Sequence, residues 1–123
     1  MAKTEITTAG YQSLRDYIET GSGPGWGYVE IRDGAGNVWE RLPLSDARVS
    51  WTHDPGATPL VLEVEVSGDD ADVTLPEELE QVALYEDETG GDAMVDGTIT
   101  QVTLEQETDQ VIIKAEVEIP EII

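Results

Sequence analysis

The chain has no cysteine and no phenylalanine, a single histidine, and only two lysines, Lys3 and Lys114. Without cysteine, neither a disulfide framework nor a thiolate metal site is open to it. With His53 as the one imidazole, zinc sites built from several histidines are excluded. Standing just before Asp54-Pro55-Gly56, His53 reads as a loop residue. No apolar run approaches the roughly 18 residues that a membrane span needs, and the N-terminus lacks the apolar core of a signal peptide. The expectation is a soluble, non-secreted protein with no membrane partner. Positive charge is the scarcest commodity: 6 basic residues stand against 27 acidic ones, a formal net charge of -21. Nucleic acid needs clustered Lys and Arg to displace its counterions, so it is a poor partner for this chain.

Such an acid excess raises the question of disorder, which the pattern of the remaining residues answers. In Asp109–Ile119, residues Val111, Ile113, Ala115, Val117 and Ile119 share one parity, with Lys114, Glu116 and Glu118 on the other. Only Ile112 breaks the alternation. Successive side chains of a strand point to opposite faces, so this is a strand with one buried and one wet face. Leu62, Val64 and Val66, with Glu63 and Glu65 between them, repeat the pattern. Two such strands and three tryptophans are the equipment of a folded protein. The carboxylates are spread along the chain and not gathered into a tail, which points to a halophile. At ~1 M salt the Debye length is about 3 Å, so self-repulsion that strains the fold in dilute buffer is screened.

At 123 residues the chain is expected to form one domain, residues 1–123, burying roughly two-thirds of its unfolded surface. Residues 7–20 read as the one helix, with Thr7 or Thr8 as N-cap and Tyr11, Leu14 and Ile18 at helical spacing beside Tyr17. Arg15 and Glu19 are expected to pair on its outer face, and Gly21, Gly23 and Pro24 to stop it. Residues 26–119 read as strands and turns. Tyr28–Arg32 and Val38–Leu44 flank a glycine-rich hairpin loop at 33–37, and Ala47–His53 and Thr58–Val66 flank Asp54-Pro55-Gly56. A polar turn at 67–72 leads to a short extended piece at Val73–Leu75. Leu75-Pro76-Glu77-Glu78-Leu79 suits one helical turn, with Pro76 at its first position. Gln81–Glu86 and Thr98–Gln106 read as further strands around a loop at 87–92. The fold class expected is mainly β: a two-sheet antiparallel sandwich preceded by one short N-terminal helix.

Three groups of residues invite a chemical reading. Asp69-Asp70-Ala71-Asp72 and Glu86-Asp87-Glu88 with Asp92 resemble calcium loops, but neither has EF-hand spacing, and both read as solvated acidic loops. Carboxylate pairs for acid–base hydrolysis are so numerous that spacing selects none. Trp26, Tyr28, Trp39 and Trp51 all lie in the first two hairpins and could form a platform for sugar rings, the mark of a carbohydrate-binding module. In a chain without phenylalanine they are also the only bulky aromatic side chains available for packing. Trp51 shares parity with Val49 and reads as core, while Trp39 shares parity with Arg41 and is the candidate for exposure or an interface. No catalytic residue, metal site or cofactor is singled out.

Several of these pieces together resemble the N-terminal attachment domain of tailed-virus tail-fibre (tail-collar) proteins. Ile6-Thr7-Thr8-Ala9-Gly10 opens into a short helix as that family does. The strand Leu62–Val66 is followed by Leu75-Pro76-Glu77-Glu78-Leu79, then by Val82-Ala83-Leu84-Tyr85-Glu86-Asp87, a Gly90-Gly91 turn, Ala93, and the closing strand Val111–Ile119. The family usually carries glycine where Ala83 stands. The resemblance implies a non-enzymatic virion protein, an attachment or adaptor subunit of the tail fibre or baseplate, assembled in the host cytoplasm. It implies other virion proteins as partners, a homo-oligomeric state and a receptor-binding tip on another chain. With the acidic composition, it implies a virus of a halophilic, haloarchaeal-type host. A capsid decoration or turret subunit is the alternative within that class.

Overall fold

The computed structural model describes residues 7–20, 26–53 and 60–117. Among these residues are one helix, α1 (Thr8–Thr20), and seven strands. The first four strands are β1 (Tyr28–Arg32), β2 (Val38–Pro43), β3 (Val49–Trp51) and β4 (Leu60–Ser67). They are followed by β5 (Glu77–Tyr85), β6 (Val95–Leu104) and β7 (Gln110–Val117). The strands form two antiparallel sheets, in the orders β2-β1-β5-β6 and β3-β4-β7. The result is the mainly-β, two-sheet sandwich with an N-terminal helix that the alternation implies. The Asp54-Pro55-Gly56 turn, the glycines after α1 and Ile119 lie outside the described residues, as do the side chains of Tyr11 and Glu19.

The two strands with the clearest alternation are neighbours in one sheet. β4 and β7 pair over eight positions, from Leu60 opposite Val117 to Ser67 opposite Gln110. Leu62, Val64, Val66, Ile113 and Val117 are all buried. They face Val29, Ile31, Leu79 and Leu84 of the other sheet within one apolar cluster. Fully burying a side chain of this size is worth about 1.5–3 kcal/mol. A slip of one residue would turn the whole set to water, so Ile112 takes the wet face and is 57% exposed.

Two expectations need correction. Leu75–Leu79 is not a helical turn: β5 starts at Glu77, and the Leu75–Pro76 bond before it is cis. Pairing Leu79 with Val102 of β6 buries Leu79 completely, and that ladder overrides the local helical signal. On α1 the faces also differ, with Ile18 buried in the core and Leu14 43% exposed. Arg15, expected on the outer face, is only 3% exposed. Its position three residues before Ile18 puts both on one side of the helix, and an arginine stem covers apolar surface well. α1 is fastened to the strands where the Trp26 N–H donates to the Ile18 carbonyl (3.2 Å) and the Tyr17 hydroxyl donates to Glu86 (2.7 Å).

The turn after β4 presses on the turn before β7. The Gly68 N–H donates to the Asp109 carbonyl at 2.8 Å. A Cβ on Gly68 would stand 2.0 Å from the backbone oxygen of Gln106. Neither backbone can yield without breaking that contact. Gly68→Ala is therefore expected to destabilise the protein by about 1–3 kcal/mol, read as a lower denaturant midpoint at unchanged slope.

Candidate functional site

The outward face of the four-stranded sheet carries Tyr28, Glu30 and Arg32 of β1, set by alternation against the buried Val29 and Ile31. Register places Arg41 of β2 and Ala83 of β5 on either side of Glu30, and Tyr85 opposite Tyr28. The Glu30 carboxylate is 5% exposed and clamped from two sides. Arg32 donates to one oxygen through Nε at 2.6 Å. Arg41 donates to the other through Nε at 3.1 Å and NH2 at 3.0 Å. Arg32 also donates to the Tyr85 hydroxyl and lies 3.4 Å from an oxygen of Asp96. The Arg41 guanidinium sits 3.6 Å from the Tyr85 ring centroid, in cation–π contact. Its NH1 donates onward to the carbonyls of Asp87 (3.0 Å) and Gly90 (2.7 Å).

A second cluster gathers at the other arginine of the sandwich. Arg48, just before β3, donates to both oxygens of Asp46, to Asp70 at 3.2 Å, and to both oxygens of Asp72 at 2.8 and 2.9 Å. Asp46 comes from the β2–β3 turn, Asp70 and Asp72 from the β4–β5 turn, so one side chain ties two turns together. Trp39 flanks this cluster. It is the residue that a bulge adds to β2, between Glu40 opposite Ile31 and Val38 opposite Arg32. Its indole N–H donates to the Asp72 carbonyl at 2.8 Å, and Arg48 lies 5.6 Å from its ring.

Each acidic loop that resembles a calcium site touches an arginine of the chain itself, the first through carboxylates and the second through backbone carbonyls. Asp70 and Asp72 of the first serve Arg48, and the carbonyls of Asp87 and Gly90 in the second serve Arg41. Among the described residues, no cluster of three or more side chains suited to a metal occurs. Trp39, the candidate for exposure, is half-buried, and Trp26 and Trp51 likewise pack against the core. No exposed row of indoles results. His53 lies in the loop, where its Nδ1 accepts from the Val61 N–H at 3.0 Å. The sequence does not single out Glu30, Arg32, Arg41, Arg48 or Tyr85. Their signal was the rarity of arginine in so acidic a chain, and the placing of Glu30 and Arg32 at outward parity in one strand.

A polar groove of about 290 Å³ runs between the 33–37 loop and the start of β5, lined by Asp33, Trp39, Asp72, Glu77 and Glu78 among others. Two of its carboxylates hold structure. Asp33 accepts from the N–H groups of Ala35 and Asn37, and Asp72 is bound to Arg48. Burial pushes the Glu77 carboxyl up, with Asp33 and Asp72 adding their repulsion.

Glu30 and Asp46 titrate the opposite way. Burial pushes Glu30 up, but the hydrogen bonds and charges of Arg32 and Arg41 outweigh it and hold Glu30 below the ordinary glutamate value. Arg48 holds Asp46 below the aspartate value. Groups with lowered folded values stabilise fully above their unfolded values, and that contribution is lost as pH falls through the folded ones. Glu77 has the reverse sign and offsets part of the loss. In molar KCl, where net repulsion is screened, the thermal midpoint should stay level from pH 8 to about 5 and fall below about pH 4. A midpoint that rose on acidification would mean that the arginine clamps contribute no stability.

The chain matches no protein-family model, no curated protein and no solved structure.

Proposed function

We propose that this chain is a non-enzymatic structural subunit of the virion of a halophilic tailed virus. Its place is the tail fibre or baseplate, as an attachment or adaptor piece that meets other virion proteins. A decoration position on the capsid is the alternative within the same class. The observation that carries the reading is the contact of the acidic loops with arginines of the chain itself. Asp46, Asp70 and Asp72 tie two turns together through Arg48, and the Asp87 and Gly90 carbonyls are held to β2 by Arg41, as suits a part whose task is shape. The attachment role itself rests on the resemblance of Leu62–Val66, Val82–Asp87 and Val111–Ile119 to the tail-fibre domain.

The test is to band particles from the organism that encodes the chain in a density gradient and digest the fractions for mass spectrometry. Its peptides should co-purify with the particle band at a fixed ratio to the capsid protein. Peptides confined to the host's soluble fraction would end the proposal.

A further inference from the structure

Among the described residues the sandwich has four edge strands, β2 and β6 in one sheet and β3 and β7 in the other. Unpaired edges invite another strand, and proteins blunt them by shortness, proline, bulges or charge. β3 has three residues. β2 contains a bulge and ends in Pro43. The register of β6 is broken against β5 between Leu79 and Gln81. β7 is neither short, bulged nor closed by proline, pairing with β4 over eight positions without a break, and its two charges, Lys114 and Glu116, are of opposite sign.

The free backbone groups of β7 can be identified. The Thr52 N–H donates to the Val61 carbonyl, and the Glu65 N–H to the Arg48 carbonyl, so Val61 and Glu65 turn their polar groups toward β3. By alternation Leu62, Val64 and Val66 turn theirs toward β7, where Ala115, Ile113 and Val111 receive them. The bond from Gly68 to Asp109 continues this phase. Gln110, Ile112, Lys114 and Glu116 therefore present N–H and C=O groups to the open edge.

Charge along this edge is unlike that of the rest of the surface. Arg15, Arg32, Arg41 and Arg48 are buried or largely covered, whereas the Lys114 side chain is 63% exposed, the one such cation among the described residues. It stands two positions from Glu116 on the same face of β7. Neighbouring β6 carries no charge from Gly97 to Leu104. Between the two strands lies an apolar groove of about 390 Å³, with Ile99, Val102, Val111 and Ile112 in its walls. Along this edge two chains of net charge -21 would bring an exposed cation, 3.4 Å from Glu63 of its own chain, to the contact.

We infer that β7 is the seat of a second copy of this chain, joined by an antiparallel β7–β7 ladder about a two-fold axis at Ala115. That register pairs bonding residues with bonding residues and sets Lys114 opposite Glu116 of the partner copy twice over. A two-fold axis at Lys114 would instead oppose the two lysines. Three-stranded sheets from each copy then merge into one of six strands. The inference is independent of the virion assignment, since a monomer in solution would defeat it and leave the particle-fraction test untouched.

Sedimentation equilibrium in 0.5 M KCl tests it. The wild type at about 100 µM should run as two 13.4 kDa chains. Glu116→Pro removes an N–H that faces away from β4, so the monomer keeps its internal ladder while the second strand is refused. It should sediment as one chain with an unchanged circular-dichroism spectrum. Glu116→Lys and Lys114→Glu each place like charges opposite one another twice, raising the dimer dissociation constant about tenfold, and the double exchange Lys114→Glu/Glu116→Lys should restore it. A wild-type monomer, an odd-numbered oligomer, a dimer that survives Glu116→Pro, or single reversals without effect would each overturn the inference.

Discussion

Glu30→Ala is expected to destabilise the protein by about 3–5 kcal/mol, the usual effect of removing one partner from a buried ion cluster. The reason is what remains. Arg32 and Arg41 would stay largely covered, their guanidinium groups turned toward an apolar gap. Arg41 would keep the carbonyls of Asp87 and Gly90 and the face of Tyr85. Arg32 would keep only the Tyr85 hydroxyl and the exposed Asp96 among the partners described above. Of the two sets, only the 58% exposed Asp96, 3.4 Å from Arg32, carries a negative charge, and at that exposure it compensates weakly. Glu30→Gln separates charge from shape: it fills the same space and can still accept hydrogen bonds, so it should cost less than alanine. Urea unfolding of the three proteins at equal slope measures both differences. Alanine and wild type unfolding at the same urea concentration would show the cluster to be energetically idle.

Salt should act on the whole molecule. Two like charges 10 Å apart in water repel by about 0.4 kcal/mol, so on the order of ten such neighbouring pairs amount to ~4 kcal/mol. That is a large part of the 5–15 kcal/mol by which domains are ordinarily stable. Raising KCl from about 0.05 M to about 2 M shrinks the screening length to a few ångströms and removes most of this repulsion, while the arginine clamps, held at contact distance, are weakened far less. The melting midpoint is therefore expected to rise by about 15 °C, taking roughly 4 °C per kcal/mol at this chain length. A midpoint equal at both concentrations would remove the halophilic reading of the composition. Sucrose at matched water activity serves as the control for general exclusion effects.

The strands were legible where one physical signal acted alone. β1, β4 and β7 follow directly from alternation, because one wet and one dry face leave a period-two pattern that nothing else in those segments contests. β5 was half-legible: Leu-Pro-Glu-Glu-Leu carries a local helical signal, and only the presence of β6 beside it decides for the strand. The faces of α1 were misjudged for a related reason. Counting apolar residues gives Leu14 to the core and Arg15 to water, whereas the long arginine stem is the one covered. The arginine clusters were least legible of all. Glu30, Arg41 and Tyr85 stand on three strands, and which strands adjoin is a property of sheet order, on which periodicity is silent. Arg48 meets aspartates 22 and 24 residues away, through turns whose approach no local pattern encodes.

Keeping its arginines inside has a consequence for how the molecule is found by others. Seen from a distance its net charge of -21 dominates, an anionic halo that draws a cationic macromolecule in by its sign. Capture in dilute buffer should thus be fast, and in brine it should slow to the pace of unassisted diffusion. Whatever docks in high salt must then be guided by shape and apolar fit at the last few ångströms.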